Sequence, residues 1–183
     1  LHGWMDVAAS YQFVVDAFSE EHYIIAPDWR GYGKTSGGGA DNFWFPDYLA
    51  DLDFLLDHYV PQRPINLVGH SMGGLIATAH LLDHQQDYVG AVLSGPAVKP
   101  AVPPSAATRI IGRLLSRLAP QTGILQLDSG GVSRDPAVVA AYLADPLVHT
   151  GKMSARLARD ARCHVYGAGQ CAEHHPALAH RSW

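Results

Sequence analysis

Ile65-Asn66-Leu67-Val68-Gly69-His70-Ser71-Met72-Gly73-Gly74-Leu75-Ile76-Ala77 decides how the rest of the chain is read. Ile65 to Val68 reads as a short strand, G-x-S-x-G follows, and a helical pattern then runs through Leu75, Ile76, Ala79 and Leu82. Strand, tight turn and helix in that order form a nucleophile elbow, whose strained corner lifts one serine Oγ clear of a sheet. A side chain at Gly69 or Gly73 would collide across so tight a turn, and Gly74 lets the helix lie close on the strand. Ser71 is therefore the candidate nucleophile, at a helix N-terminus whose backbone N–H groups favour developing negative charge.

Working outward, Gly90-Ala91-Val92-Leu93-Ser94-Gly95-Pro96 reads as a second buried strand and Tyr23-Ile24-Ile25-Ala26 as a third. Asp6 can cap a helix running to about Phe18, with Phe13, Val14, Ala17 and Phe18 on one apolar face. A further helix starts near Pro46, turns Leu49, Leu52, Leu55, Leu56 and Tyr59 inward and leaves Asp47, Asp51 and Asp57 as a solvated face. Pro61 and Pro64 end it. Strands alternating with helices predict an α/β fold: a mostly parallel sheet with helices on both faces.

The glycine-rich turn Pro27-Asp28-Trp29-Arg30-Gly31-Tyr32-Gly33-Lys34 is not a phosphate loop, because the glycine a Walker A motif needs six residues before Lys34 is Asp28. The chain has 183 residues, 48% hydrophobic and 16% charged, enough for one globular domain with a real core. A net charge of −4 gives no electrostatic reason to expect nucleic acid as a partner. No apolar run is long enough to span a membrane, which favours a cytoplasmic or peripheral location over an integral one, and no cofactor is called for. Cys163 and Cys171 are the only cysteines. With His164 and His174 they lack standard zinc spacing, so no metal site is expected from them.

Between Ala97 and Ser154 the pattern changes. Pro100, Pro103 and Pro104 mark a departure from the sheet. The next helix carries Ile110, Ile111, Leu114, Leu115 and Leu118 on one side and Arg109, Arg113 and Arg117 on the other. The apolar side would suit a lipid acyl chain, or its leucines can pack on the main domain. Its arginine stripe would allow transient contact with a lipid interface.

These motifs resemble those of the α/β-hydrolases. Leu1-His2-Gly3-Trp4-Met5 is similar to the turn after the third strand of that fold. There the N–H after H-G forms half of the oxyanion hole, which implies Trp4, with the N–H of Met72 as the other half. Asp28-Trp29-Arg30-Gly31-Tyr32-Gly33 resembles the loop after the fourth strand, where Asp28 and Arg30 would hold a turn. From about residue 66 to 158 the chain resembles the monoacylglycerol lipase group. The matching stretches are Gly69-His70-Ser71-Met72-Gly73-Gly74, Val92-Leu93-Ser94-Gly95-Pro96, Leu127-Asp128-Ser129, Val132-Ser133-Arg134-Asp135 and Asp145-Pro146-Leu147-Val148.

The resemblance implies an α/β-hydrolase core over residues 1–96, a helical cap inserted after the sixth strand over 97–154, and a tail over 155–183. It implies a serine esterase or lipase acting on a small-molecule ester or lipid. Alternatives are a perhydrolase or carbon–carbon hydrolase using the same serine, or a non-catalytic remnant. Epoxide hydrolases and haloalkane dehalogenases need aspartate where Ser71 stands. Residues 1–65 resemble the α/β-hydrolases only generally, as if two related genes were joined within Gly69 to Gly74.

In that fold the triad acid and histidine follow the seventh and eighth strands, which this chain is not expected to reach, and the body of the third strand is not expected either. The expectation is a fragment that is unstable and nearly inactive alone. Beyond Asp160 the sequence departs from the family, as if read in a shifted frame. His164, His174, His175 and His180 are the rival candidates for a triad histidine, and His70 is a poor base.

Overall fold

A computed structural model describes residues 1–18, 22–37, 44–60, 64–98, 105–126, 129–148 and 151–158. Its centre is a β-α-β unit: β1 (Ile65–His70), α3 (Ser71–His84) and β2 (Tyr88–Ser94). Ahead of it come α1 (Gln12–Ala17), entered through a 3-10 turn at Ala8–Tyr11, and α2 (Phe45–Tyr59). After it come α4 (Ala106–Leu118), β3 (Gly123–Leu125), α5 (Pro136–Ala144) and β4 (Met153–Ser154).

β1 and β2 pair in parallel, with Asn66 opposite Gly90 and His70 opposite Ser94. A parallel pair needs a long crossover, which α3 supplies. Leu1 adds a one-residue bridge to β1: its amine donates to the Val68 carbonyl at 2.6 Å, and the His70 N–H donates to the Leu1 carbonyl at 3.1 Å. β3 and β4 pair antiparallel, away from the parallel ladder.

The core forms where α3 meets α2 and the N-terminal segment. Trp4, Met5, Trp29, Tyr32, Phe45, Tyr48, Leu52, Met72, Leu75 and Ile76 make one buried cluster. Leu49, Leu56, Tyr142, Val148 and Met153 pack against it. Every apolar residue of α3 from Met72 to Ala77 is buried, so this helix is enclosed on most sides at its N-terminal half.

Several expectations are corrected. Tyr23–Ala26 forms no strand, because a strand needs a partner whose backbone groups match its own. Ile24 and Ile25 line a cleft of about 570 Å³ together with Ile65 and Leu67 of β1. β2 pairs only with β1 among the described residues, and Val92 and Leu93 are exposed rather than buried.

Phe13, Val14 and Phe18 are exposed, with Phe13 at 86%, so the apolar face expected there meets no core. Asp6 accepts from the Val7 N–H and the Ser10 hydroxyl instead of capping a long helix, and the chain runs through a 3-10 turn first. Tyr59 and Leu82 are exposed at the ends of their helices.

In the segment after β2, Ser105 caps α4 by accepting from the Thr108 N–H at 3.1 Å, and Asp135 caps α5 by accepting from the Ala137 N–H at 2.8 Å. Ile110, Ile111, Leu114 and Leu118 on α4 are exposed. Pro61, Pro100, Pro103, Pro104, Leu127 and Asp128 lie outside the described residues, as does the tail from 159 onward with Cys163, His164, Cys171, His174, His175 and His180. The side chain of Arg109 does too.

Candidate active site

Ser71 is the first residue of α3 and follows β1 without an intervening loop. Reversing direction in so few residues drives its backbone to φ +50°, in the left-handed region that costs a non-glycine residue roughly 1 to 2 kcal/mol. The glycines around it are fixed by contact. A Cβ on Gly69 would stand 2.7 Å from the Gly73 carbonyl oxygen, and one on Gly73 would stand 2.2 Å from the Leu1 carbonyl oxygen. Gly74 faces Pro96, where an added Cβ would meet the backbone at 3.0 Å.

The N-terminal segment packs directly on this corner. A Cβ on Gly3 would lie 3.1 Å from Cβ of Ser71, so the peptide that follows, carrying the N–H of Trp4, sits beside the serine. Trp4 and Met72 are both buried in the core cluster. The carbonyls on either side of Trp4 are held: Gly3 accepts from Nδ1–H of His2 at 2.8 Å, and Met5, itself at φ +72°, accepts from the Tyr142 hydroxyl at 3.3 Å. The Ser71 carbonyl accepts from the Ala97 N–H at 3.0 Å, tying the elbow to the turn after β2.

His2 is fully buried and works as a bolt rather than as a base. Nδ1–H goes to Gly3, so Nε2 is the acceptor and takes the Trp29 N–H at 3.0 Å, while Trp29 Nε1–H donates to the His2 carbonyl at 3.2 Å. Burial lowers the His2 pKa, and the Gly3 bond and the nearby Asp6 and Asp28 only partly offset it. His70 is exposed, with Nδ1 bonded to the Ser94 carbonyl at 3.0 Å rather than to Ser71.

Asp28 and Arg30 hold turns. Asp28 accepts from the Ala8 N–H at 2.8 Å and the Lys34 N–H at 3.0 Å, with Gly33 at φ +52° folded against it. Arg30 Nε donates to Asp51 at 2.6 Å in a two-pronged pair and also faces Asp47 at 3.4 Å. Asp47 and Asp51 are therefore not merely a solvated face: they anchor this loop to α2. Trp29 and Tyr142 also join the site's loops; the sequence marks Trp29 only by its place between Asp28 and Arg30, and carries no local signal for Tyr142.

The family described as serine aminopeptidase, S33, matches residues 1–174. The match spans the first 65 residues, whose motifs by themselves resemble the α/β-hydrolases only generally, and continues past Asp160. A monoacylglycerol lipase of Mycolicibacterium smegmatis is 37% identical over 164 residues, 86% of this chain and 58% of that protein.

A crystal structure of Paleococcus ferrophilus monoacylglycerol lipase superposes with a TM-score of 0.79 at 24% identity, covering 94% of this chain and 66% of that one. A soluble variant of monoglyceride lipase from Saccharomyces cerevisiae, in complex with a substrate analog, gives 0.67 at 28%, covering 90% and 58%. The chain thus spans less than two thirds of each of these relatives.

Proposed function

The chain belongs to the α/β-hydrolase family described as serine aminopeptidase, S33, and from that premise we propose that it carries the nucleophile and oxyanion hole of a carboxylic-ester hydrolase acting on monoacylglycerol or a similar ester. Ser71 Oγ attacks the ester carbonyl, and the N–H groups of Trp4 and Met72 receive the negative charge that develops on its oxygen. Each such donor contributes about 3 kcal/mol to the transition state in a dry, preorganised site.

A histidine takes the serine proton and returns it to the leaving alcohol, with a carboxylate fixing its tautomer. Among the described residues His2 and His70 are engaged elsewhere, so neither fills that role. The observation that carries the reading is the left-handed Ser71 at the β1–α3 corner with Gly3 packed against its Cβ. A left-handed residue at a strand-to-helix corner supports reading Ser71 as a nucleophile at a helix N-terminus, with the amides of Trp4 and Met72 as its proposed oxyanion donors.

On this reading the segment 97–154 serves as the cap. Tyr142 on α5 holds it to the Met5 carbonyl, and the exposed apolar face of α4, with Ile110 66% and Leu118 76% exposed, favours an acyl chain or transient contact with a lipid surface. Labelling with a fluorophosphonate tests the nucleophile: the reading expects modification at Ser71 that Ser71→Ala abolishes. Labelling at another serine, or none in a folded protein that hydrolyses esters, would overturn it. A series of glycerol esters of rising chain length tests the cap, with kcat/KM expected to rise with acyl length.

A further inference from the structure

A second cluster of chemically able side chains lies about 13 Å further along α3 from Ser71, at its C-terminal half. His80 and His84 are one helical turn apart, so both imidazoles project from one face. They stack with ring centroids 4.4 Å apart. Asp53 reaches them from α2, its Oδ1 2.8 Å from Nε2 of His80. The ligand atoms of Asp53, His80 and His84 all lie within 4.8 Å of one another.

We propose that Asp53, His80 and His84 form a binding site for a divalent transition metal, zinc by the chemistry of its donors, that clamps α2 to the elbow helix α3. Two imidazole nitrogens and one carboxylate oxygen are a donor set zinc accepts. Bonds of roughly 2.1 Å put tetrahedral ligands roughly 3.4 Å apart, so Asp53 Oδ1 and His80 Nε2 part slightly from 2.8 Å while wider pairs close from up to 4.8 Å, adjustments within reach of side-chain rotation. The outer partners that orient metal-bound histidines are in place. The Tyr88 hydroxyl lies 2.8 Å from Nδ1 of His80, and Asp87 lies 3.4 Å from Nδ1 of His84.

His80 is only 5% exposed while Asp53 is half exposed, so the site has a buried ligand for rigidity and an open side for entry. With a metal on Nε2 of His80, Nδ1–H faces the Tyr88 hydroxyl, which can accept it across the 2.8 Å already present.

The test uses the whole protein, stripped with EDTA and given ZnCl2 or CoCl2 alone. Zinc is expected to bind one per chain and raise Tm by roughly 5 °C at saturation. Cobalt is expected to give tetrahedral d–d bands without a thiolate charge-transfer band. His84→Ala and Asp53→Asn should each weaken zinc at least about tenfold and Tyr88→Phe by about tenfold, while Cys163→Ser with Cys171→Ser should leave it unchanged.

No rise in Tm, a thiolate band, or equal zinc affinity in wild type and His84→Ala would overturn the proposal. In that case Tyr88, His80 and Asp53 are a structural hydrogen-bonded chain only. Where His84→Ala fails to fold, Asp53→Asn, which keeps the side-chain volume, decides the matter: unchanged zinc affinity in that variant also overturns the proposal.

Discussion

Replacing His2 by alanine tests whether the segment carrying Trp4 is held in place by one neutral imidazole. The Trp29 N–H is buried and loses its acceptor, which costs about 1 to 3 kcal/mol. Deleting a fully buried ring leaves a cavity worth about 2 kcal/mol more. The sum, about 4 kcal/mol, is a large share of the roughly 5 to 15 kcal/mol that stabilises a typical domain. Urea unfolding followed by tryptophan fluorescence at pH 7.5 measures it.

The pH dependence carries a second signature. Burial lowers the native His2 pKa, so in the unfolded chain this residue takes its proton near pH 6.5 while the native one resists. The unfolded state then binds more protons, and stability falls as pH drops below that value. The contribution of neutral His2 is whole above about pH 6.5 and is lost on the acid side, because a protonated Nε2 cannot accept from Trp29.

His2→Ala lacks this contribution, so the gap between the two proteins should narrow from pH 7.5 to pH 5, with the remaining histidines cancelling in the difference. A gap below about 1 kcal/mol at pH 7.5, or one that does not change with pH, would refute the reasoning.

Three further outcomes follow from the same geometry. Ser71→Gly should raise stability by about 1 kcal/mol, because glycine accepts φ +50° freely, while abolishing fluorophosphonate labelling; a less stable variant in urea melts would contradict the strain. Gly73→Ala should lose more than about 3 kcal/mol or fail to fold, since its Cβ falls 2.2 Å from a backbone oxygen that cannot swing away; near-wild-type thermal unfolding would show the corner to be looser than described. Asp51→Asn should cost only about 1 kcal/mol, because Arg30 and Asp51 are each some 30% exposed and screened, and Arg30→Lys should not be neutral because a point charge cannot make the two-pronged pair; a double-mutant cycle measures the coupling.

The elbow was legible in the sequence because its constraint is local. The collisions that require glycine at 69 arise within five residues, and the strand and helix on either side announce themselves by composition. Where the constraint is non-local the sequence is silent or misleading. Asp47 and Asp51 lie on what reads as a polar helix face, and nothing near them reveals that Arg30, more than a dozen residues upstream, will fold back onto them. Tyr23–Ala26 has the composition of a strand, but a strand is a relation between two backbones, and composition names only one of them. β2 reads as buried for the same reason: its side chains want cover, and the cover has to come from elsewhere.

The candidate site sits on the boundary between these two kinds of information. One half of the proposed site, Ser71 with the N–H of Met72, belongs to a single continuous segment and carries local backbone strain at Ser71. The other proposed half, the N–H of Trp4, belongs to a segment about seventy residues away in sequence, packed on the corner by contacts that no local pattern encodes. Those contacts are His2 on Trp29, Tyr142 on the Met5 carbonyl and Leu1 on β1. Losing any one of them leaves the serine on its corner but loosens the amide opposite it. A hydrogen-bond donor contributes to a transition state only when it is already aimed at the developing charge, so a variant in this second half should lower kcat while leaving Ser71 open to chemical labelling. That split between reactivity and turnover is what the proposed division, a nucleophile built locally and oxyanion donors drawn from two distant segments, predicts in kinetic form.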